Sequence, residues 1–239
     1  MKAISLFVTG TDTEIGKTFV SCALLQGFCA RALRATALKP ISTGAQLHNE
    51  ILHNEDADLL FNASNIVLPL HLSTPYMLRK PAAPHIVAAY EGVSLDIAHI
   101  VACHRAAEQL ADIVVVEGVG GVCVPLDDMK DTADLAISLQ LPVILVVGLR
   151  LGCINHALLS AEAISTRGLM LVGWIANIID PDMEFSTANV EAIQQRLDRK
   201  YSAPLLGTIP RIDSQRADEA ARYIDIDTLL ERMRGLLTL

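Results

Sequence analysis

Six short segments of nearly unbroken aliphatic residues punctuate the chain: Ala3–Thr9, Ala35–Lys39, Asp112–Val116, Pro142–Val147, Leu171–Asn177 and Leu205–Ile209. Segments of that length read as strands, and strands apolar on both faces belong in a parallel sheet covered by helices. Between them the apolar spacing lengthens to that of helices, over Lys17–Leu33, Leu95–Leu110, Thr132–Leu139, Cys153–Thr166, Val190–Arg199 and Ile226–Leu236. The second strand stops at Pro40, because the residue before a proline is pushed into extended geometry. Residues 44–94 break the rhythm. Pro69, Pro75, Pro81 and Pro84 interrupt them, leaving a helical patch near Asp56–Phe61 and a short helix around Pro84–Tyr90. Strand–helix alternation predicts an α/β fold with a doubly wound, mostly parallel sheet. With no repeat, low-complexity tract or linker, residues 1–239 read as one domain. In such sheets ligands bind beyond the carboxyl ends of the strands, so the candidate chemistry is sought there.

The strongest signal is Gly10-Thr-Asp-Thr-Glu-Ile-Gly16-Lys17-Thr18, which follows a strand and opens a helix. That is the context of a P-loop, whose backbone N–H groups converge on phosphate oxygens at a positively polarised helix start. Lys17 is placed to reach the outer phosphates, and the Thr18 hydroxyl to ligate Mg²⁺. Gly10 lies one residue earlier than the usual spacing, with Thr11 in the expected place. The sheet is thus expected to be of the P-loop nucleoside triphosphatase type. Glu117 ends the run Ile113–Val116 and precedes Gly118, where such an enzyme holds its metal. Gly120-Gly121 would let the backbone pass close to a ligand or simply turn the chain. Lys39 ends the second strand on the same sheet edge, where a second cation could meet charge developing in phosphoryl transfer. Asp56 reads either as a helix N-cap or as a ligand. Asn177 ends its strand where an amide could read a purine edge; Asn177…Asp180 has the spacing of a guanine-reading motif, but Ile178 stands where that motif has lysine.

Composition narrows the classes further. Of 239 residues, 51% are hydrophobic and 19% charged, so the chain is not disordered. The net charge of −8 provides no electrostatic footprint for nucleic acid or an anionic membrane. The longest apolar run, Leu141–Leu149, is too short to span a bilayer. Five scattered cysteines without C-x-x-C spacing suggest a reducing compartment, and the first residues are too few for a signal peptide, so a cytoplasmic protein is expected. His48/His53 and His99/His104 are five apart, not the four that puts two ligands on one helical face.

Taken together, these motifs resemble the dethiobiotin synthetase family. The first loop has that family's extra residue. Leu38-Lys39-Pro40 with Thr43-Gly44, Asn54-Glu-Asp56-Ala57 and Val116-Glu117-Gly-Val-Gly-Gly121 follow in the family's order. So do Leu145–His156, Gly173–Asn177 and Pro204–Pro210. The resemblance implies ATP- and Mg²⁺-dependent ring closure of 7,8-diaminopelargonic acid with CO2 or bicarbonate. One amine becomes a carbamate, ATP phosphorylates it to a mixed anhydride, and the second amine attacks. By the same resemblance Lys39 and Lys17 are catalytic, and Thr18, Asp56 and Glu117 hold the metal. The nucleotide falls to Thr13, Glu14, Ile15, Gly16, Lys17, Thr18 and Phe19, with Asp56, Glu117, Gly118, Val119 and Gly120. Asn177, Pro210, Arg211 and Ile212 line the base. Thr43 and the helix start Gly152, Cys153, Ile154 and Asn155 take the substrate, the latter across a homodimer interface. Thr43 stands where the family often has serine. Near 185–189, where it has a tyrosine, this chain offers Phe185 and Asn189. Asp213, Asp218 and Glu219 compete for the family's acid after the base-binding segment.

A regulatory P-loop switch ATPase of the partitioning or iron-protein type shares the expected fold. Those proteins carry a second lysine early in the loop, where this chain has Thr11 and Thr13. An amidoligase of cobalamin synthesis would need a glutaminase domain, for which 239 residues leave no room. A binding paralogue without activity is the remaining alternative.

Overall fold

The computed structural model describes residues 3–212, 214 and 216–237. Six aliphatic segments pair into one parallel sheet: β1 (Ile4–Gly10), β2 (Ala35–Leu38), β7 (Ile113–Glu117), β8 (Val143–Leu149), β9 (Leu171–Ile178) and β10 (Leu205–Ile209). Their spatial order is β10-β9-β8-β1-β7-β2. The chain leaves β1 for one side of the sheet, at β2 and β7, and then crosses to the other, at β8. The direction of winding therefore reverses at β1, which puts the segment after Gly10 in the crevice at the switch point. Parallel register sets Val8 beside Glu117 and Gly10 beside Val146, so the ends of β7 and β8 flank that crevice.

Successive strand residues point to opposite faces, and the sheet is buried on both. Phe7, Val114, Val116, Leu145 and Trp174 pack toward one cluster, which includes α5 (Ile97–Glu108), α6 (Thr132–Leu139), α7 (Cys153–Thr166) and α8 (Ser186–Tyr201). Leu6, Val8, Val115, Ile144 and Ile175 pack toward the other, with α1 (Lys17–Cys29) and α10 (Ile226–Leu237). Each such aliphatic side chain fully withdrawn from water contributes roughly 1.5–3 kcal/mol. This two-sided burial is what made the strands legible as continuous apolar runs.

Helix ends differ from the sequence expectation for local reasons. α1 stops at Cys29, four residues before Leu33, and Ala32 then takes a left-handed turn at φ 58°. α5 starts at Ile97 because Asp96 caps it, accepting from the Ala98 N–H at 2.8 Å. α8 begins at Ser186, four residues before Val190, over a polar first turn that carries no apolar period.

Seven short elements occupy the proline-broken stretch and the residues just before it. β3 (Ile41–Ser42) pairs in parallel with β6 (Tyr76–Met77). β4 (Gln46–His48) and β5 (Ile51–His53) form a hairpin whose two turn residues, Asn49 and Glu50, both have positive φ. α2 (Glu55–Ala63), α3 (Leu70–Ser73) and α4 (Pro84–Glu91) complete it, the last with proline in its first turn. Among the described residues no helix is long and apolar enough to cross a membrane.

Candidate phosphate and metal site

Four side chains from four segments meet at the ends of β1, β2 and β7. Glu117, the last residue of β7, is fully buried. Its Oε1 accepts from the Thr18 hydroxyl at 2.8 Å and from Lys39 Nζ at 2.6 Å. Lys39 follows β2, and its Nζ also lies 2.9 Å from Asp56 Oδ2 and donates to the Gly118 carbonyl at 3.3 Å. One ammonium thus bridges two carboxylates. Asp56 is free for this contact because it does not cap α2. Asn54 does, accepting from the Ala57 N–H at 3.3 Å while its amide donates to the Thr43 carbonyl at 3.0 Å.

The electrostatics follow from burial and pairing. Burial pulls the Lys39 pKa down, but Glu117 and Asp56 more than offset this, and the ammonium is held above its ordinary value. Burial would raise the Asp56 carboxyl, yet the Lys39 ammonium outweighs it and holds the acid below its usual range. Lys17, at the start of α1, is 7% exposed. Burial lowers its pKa, Glu117 counteracts, and Lys39 adds repulsion. Lys17 thus stands beside the already paired Lys39 as a buried cation that an anion would relieve.

The loop before α1 is shaped to receive such anions. Gly16 sits at φ 78°, and the α1 start has no side-chain cap, so its N–H groups remain for a ligand. A Cβ on Gly16 would collide with the Asn177 amide, whose Nδ2 donates to the Ile15 carbonyl at 2.9 Å. Asn177 thus braces the loop from the end of β9, a role its sequence position did not reveal. Glu14 adopts φ 58°. Thr13 Oγ1 would lie 3.5 Å from a Cβ on Gly120, itself at φ 61°, so the loop after β7 passes beside the phosphate loop. Gly118 lies against the Phe7 ring, where a Cβ would approach to 3.0 Å, and Val119 is half-buried just beyond.

A cleft of about 820 Å³ opens beside the loop. Glu14, Gly16, Phe19, Asn177, Pro210, Arg211 and Ile212 all line it. Its other wall is α1 and α2, through Cys22, Gln26, Leu59, Asn62 and Ala63, which the sequence reading did not single out. Asp218 lines the cleft and pairs with Arg216 at 2.7 Å, while Glu219 accepts from the Ser214 hydroxyl at 3.2 Å. Asp213 lies outside the described residues.

Thr43 and the residues 152–155 do not line this cleft. Gly152 takes φ 95° before α7, whose start has no side-chain cap. Cys153 is buried, Ile154 half-buried and Asn155 exposed. The Cys153 thiol lies 3.7 Å from Asn189 Oδ1, which brings Asn189 to the head of α7, whereas Phe185 is 66% exposed.

Among the described residues no three His, Cys, Asp or Glu side chains cluster as a metal site. Thr18, Asp56 and Glu117 instead offer a hydroxyl and two carboxylates. Hard oxygen donors short of a full cage suit Mg²⁺, which keeps several waters and shares its shell with phosphates. Glu117 Oε2 is buried without a hydrogen-bond partner. A buried carboxylate oxygen left bare fits a cation there.

A parallel sheet with a glycine–lysine–threonine loop at its switch point and a buried acid on the neighbouring strand defines a P-loop nucleoside triphosphatase. Residues 5–218 match the model of the AAA domain family, and the chain belongs to that family. Solved structures share the fold at low identity. A chain of the MinC:MinD cell division protein complex of Aquifex aeolicus is 14% identical with a TM-score of 0.56, over 99% of this chain and 96% of that one. A ParA family ATPase from Chlorobium tepidum is 13% identical with a TM-score of 0.53, over 96% and 93%. Chloroplast FtsY from Physcomitrella patens is 14% identical with a TM-score of 0.53; 98% of this chain aligns, spanning 65% of the FtsY chain.

Proposed function

We propose that the protein is a dethiobiotin synthetase, closing the ureido ring of 7,8-diaminopelargonic acid with CO2 at the expense of ATP. The observation that carries this reading is Lys39, a second buried lysine that contacts both Asp56 and Glu117 beside Lys17 and Thr18. The proposed reaction brings a carbamate against a γ-phosphate, two anions that repel each other. A site with two fixed ammonium groups offsets that repulsion before the reactants meet.

Lys17 binds the outer phosphates together with the loop N–H groups from Glu14 to Phe19. Thr13, Gly118, Val119 and Gly120 close over them. Asn177, Pro210, Arg211 and Ile212 hold the base. Thr18, Asp56 and Glu117 would hold Mg²⁺, which supplies charge neutralisation at the phosphates. Lys39 then exchanges its carboxylate partners for the oxygens of the carbamate and the transferring phosphoryl group, and the second amine displaces phosphate to close the ring. Thr43 contacts the diamine end of the substrate. The helix start Gly152–Asn155 receives its carboxylate through N–H groups other than that of Cys153, which donates to the Arg150 carbonyl. In this reading they belong to a second copy of the chain in a twofold dimer.

The test is incubation with isotope-labelled bicarbonate, the diamine, ATP and Mg²⁺. Label in a cyclic urea with equimolar ADP is the expected result. ATP turnover with no labelled ring would overturn the proposal in favour of a switch ATPase. A shared site has its own test. Chains carrying Lys39→Ala and Gly152→Trp, each nearly inactive alone, should regain activity on mixing, because one site per mixed dimer then carries neither change.

A further inference from the structure

We infer that Arg150 is a positioning residue of the phosphate loop: its guanidinium neutralises Asp12 and ties the loop to the turn that opens α7. The inference rests on the reading of the loop as a nucleotide site, and on nothing specific to ring closure.

Asp12 lies inside the loop, between Gly10 and Gly16. Its Oδ1 accepts from the Thr13 N–H at 2.8 Å, which fixes the carboxylate within the loop. Its Oδ2 takes an ion pair from Arg150 Nη2. A phosphate loop works by converging N–H dipoles on an anion. A bare carboxylate held in it would repel the same anion, so Asp12 is tolerable there only with a counter-charge. Arg150 provides one from the neighbouring segment.

That segment is itself built to hold Arg150 in place. It follows β8 directly, and its carbonyl accepts from the Cys153 N–H at 3.0 Å. Gly152, at φ 95° and ψ −6°, stands third in this turn, the geometry of a type II turn. Two further contacts join β8 to the loop. The Thr11 N–H donates to the Val146 carbonyl at 3.0 Å. Ile15 packs so closely on Gly148 that a Cβ there would lie 2.7 Å from the Ile15 Cβ. Loop, β8 end and α7 turn are therefore joined at Thr11, Asp12 and Ile15. Arg150 makes the charged one of the three contacts.

The experiment is a double-mutant cycle read by calorimetric titration with a non-hydrolysable ATP analogue at low salt. Arg150→Gln uncovers Asp12 and should weaken binding roughly five- to tenfold, the scale for one unit charge beside a multiply charged ligand at a half-exposed site. Asp12→Asn leaves the Arg150 charge uncovered and should tighten binding by a comparable factor, and Asp12→Asn/Arg150→Gln should return to within about twofold of the parent, because both charges are gone. Arg150→Lys keeps the charge and should retain most of the affinity. Two outcomes would overturn the inference: unchanged binding by Arg150→Gln, or a double variant as weak as Arg150→Gln, which would make Arg150 a direct phosphate ligand. If the parent chain failed to bind the analogue, the nucleotide reading of the loop would fall and the inference with it. The pair is half-exposed, so melting temperatures of all variants should stay within about 2 °C of the parent, and a larger drop would expose a folding defect.

Discussion

Replacing Lys39 by methionine isolates the electrostatic core of the site. Methionine matches the length of the lysine stem and removes only the charge and its hydrogen bonds. In the parent, Lys39 is 4% exposed and Glu117 fully buried, with 2.6 Å between their charged atoms. Losing the cation leaves the Glu117 carboxylate in the interior with the Thr18 hydroxyl as its hydrogen-bond donor. Breaking a buried pair by removing one partner costs about 3–5 kcal/mol. Asp56 is 44% exposed, so water relieves that end of the bridge and the expected cost falls near the lower limit, about 3 kcal/mol. At roughly 2–4 °C per kcal/mol for a chain of this size, the melting temperature should drop by about 6–12 °C. Lys39→Met/Glu117→Gln removes both charges and should recover much of the loss, giving a coupling energy of about 2 kcal/mol. The assay is urea unfolding without nucleotide or Mg²⁺, since either would add binding energy to the folded state. The Lys39 pKa is raised above 10.5, so its contribution is complete below that value and vanishes as pH rises through the folded pKa. The Asp56 pKa is lowered below 3.8, so its contribution is complete above that value and is lost as pH falls through the folded pKa. These two contributions of the parent should therefore be constant from about pH 5 to 9. A cost below about 1 kcal/mol, or strict additivity in the double variant, would refute the bridging geometry.

Three further outcomes follow from the same contacts. Lys39→Ala should lower kcat by about 10²–10³ with a small change in the KM for ATP, and an unchanged kcat would remove Lys39 from the chemistry. Asp56→Asn and Glu117→Gln should each shift the Mg²⁺ titration of activity to much higher concentrations; parent-like curves for both would mean the ligands lie elsewhere. His104, buried on α5 with Arg105 and Glu108 as its charged neighbours, has its pKa lowered from 6.5 by burial. The unfolded chain therefore binds this proton first, and stability should decline as pH falls below about 6.5. His104→Leu should flatten that acid limb in urea midpoints measured from pH 7 to 5, and an unchanged slope would discount the residue.

Much of the molecule was written in local sequence. The central strands were readable because burial on both faces demands unbroken aliphatic runs, as in Ile113–Val116 and Val143–Val147. The phosphate loop was readable because Gly16, Lys17 and Thr18 must follow a strand and open a helix in one continuous stretch. Glu117 stood out for the same reason, as an acid ending an apolar strand. Short elements were not legible. β3, β6 and the β4–β5 hairpin span two or three residues each, too few for any period to register, and they exist because distant backbone groups pair with them. The sequence left Asp56 between cap and ligand; three-dimensional packing gave the cap to Asn54 and turned Asp56 to Lys39. Likewise Asn177 meets the Ile15 carbonyl from 162 residues away, and Arg150 meets Asp12 from 138. Local pattern reports which groups must leave water, since that depends on each segment's own side chains. Which buried or half-buried polar groups then face one another depends on strand order and register, and those are set only when the whole sheet is assembled.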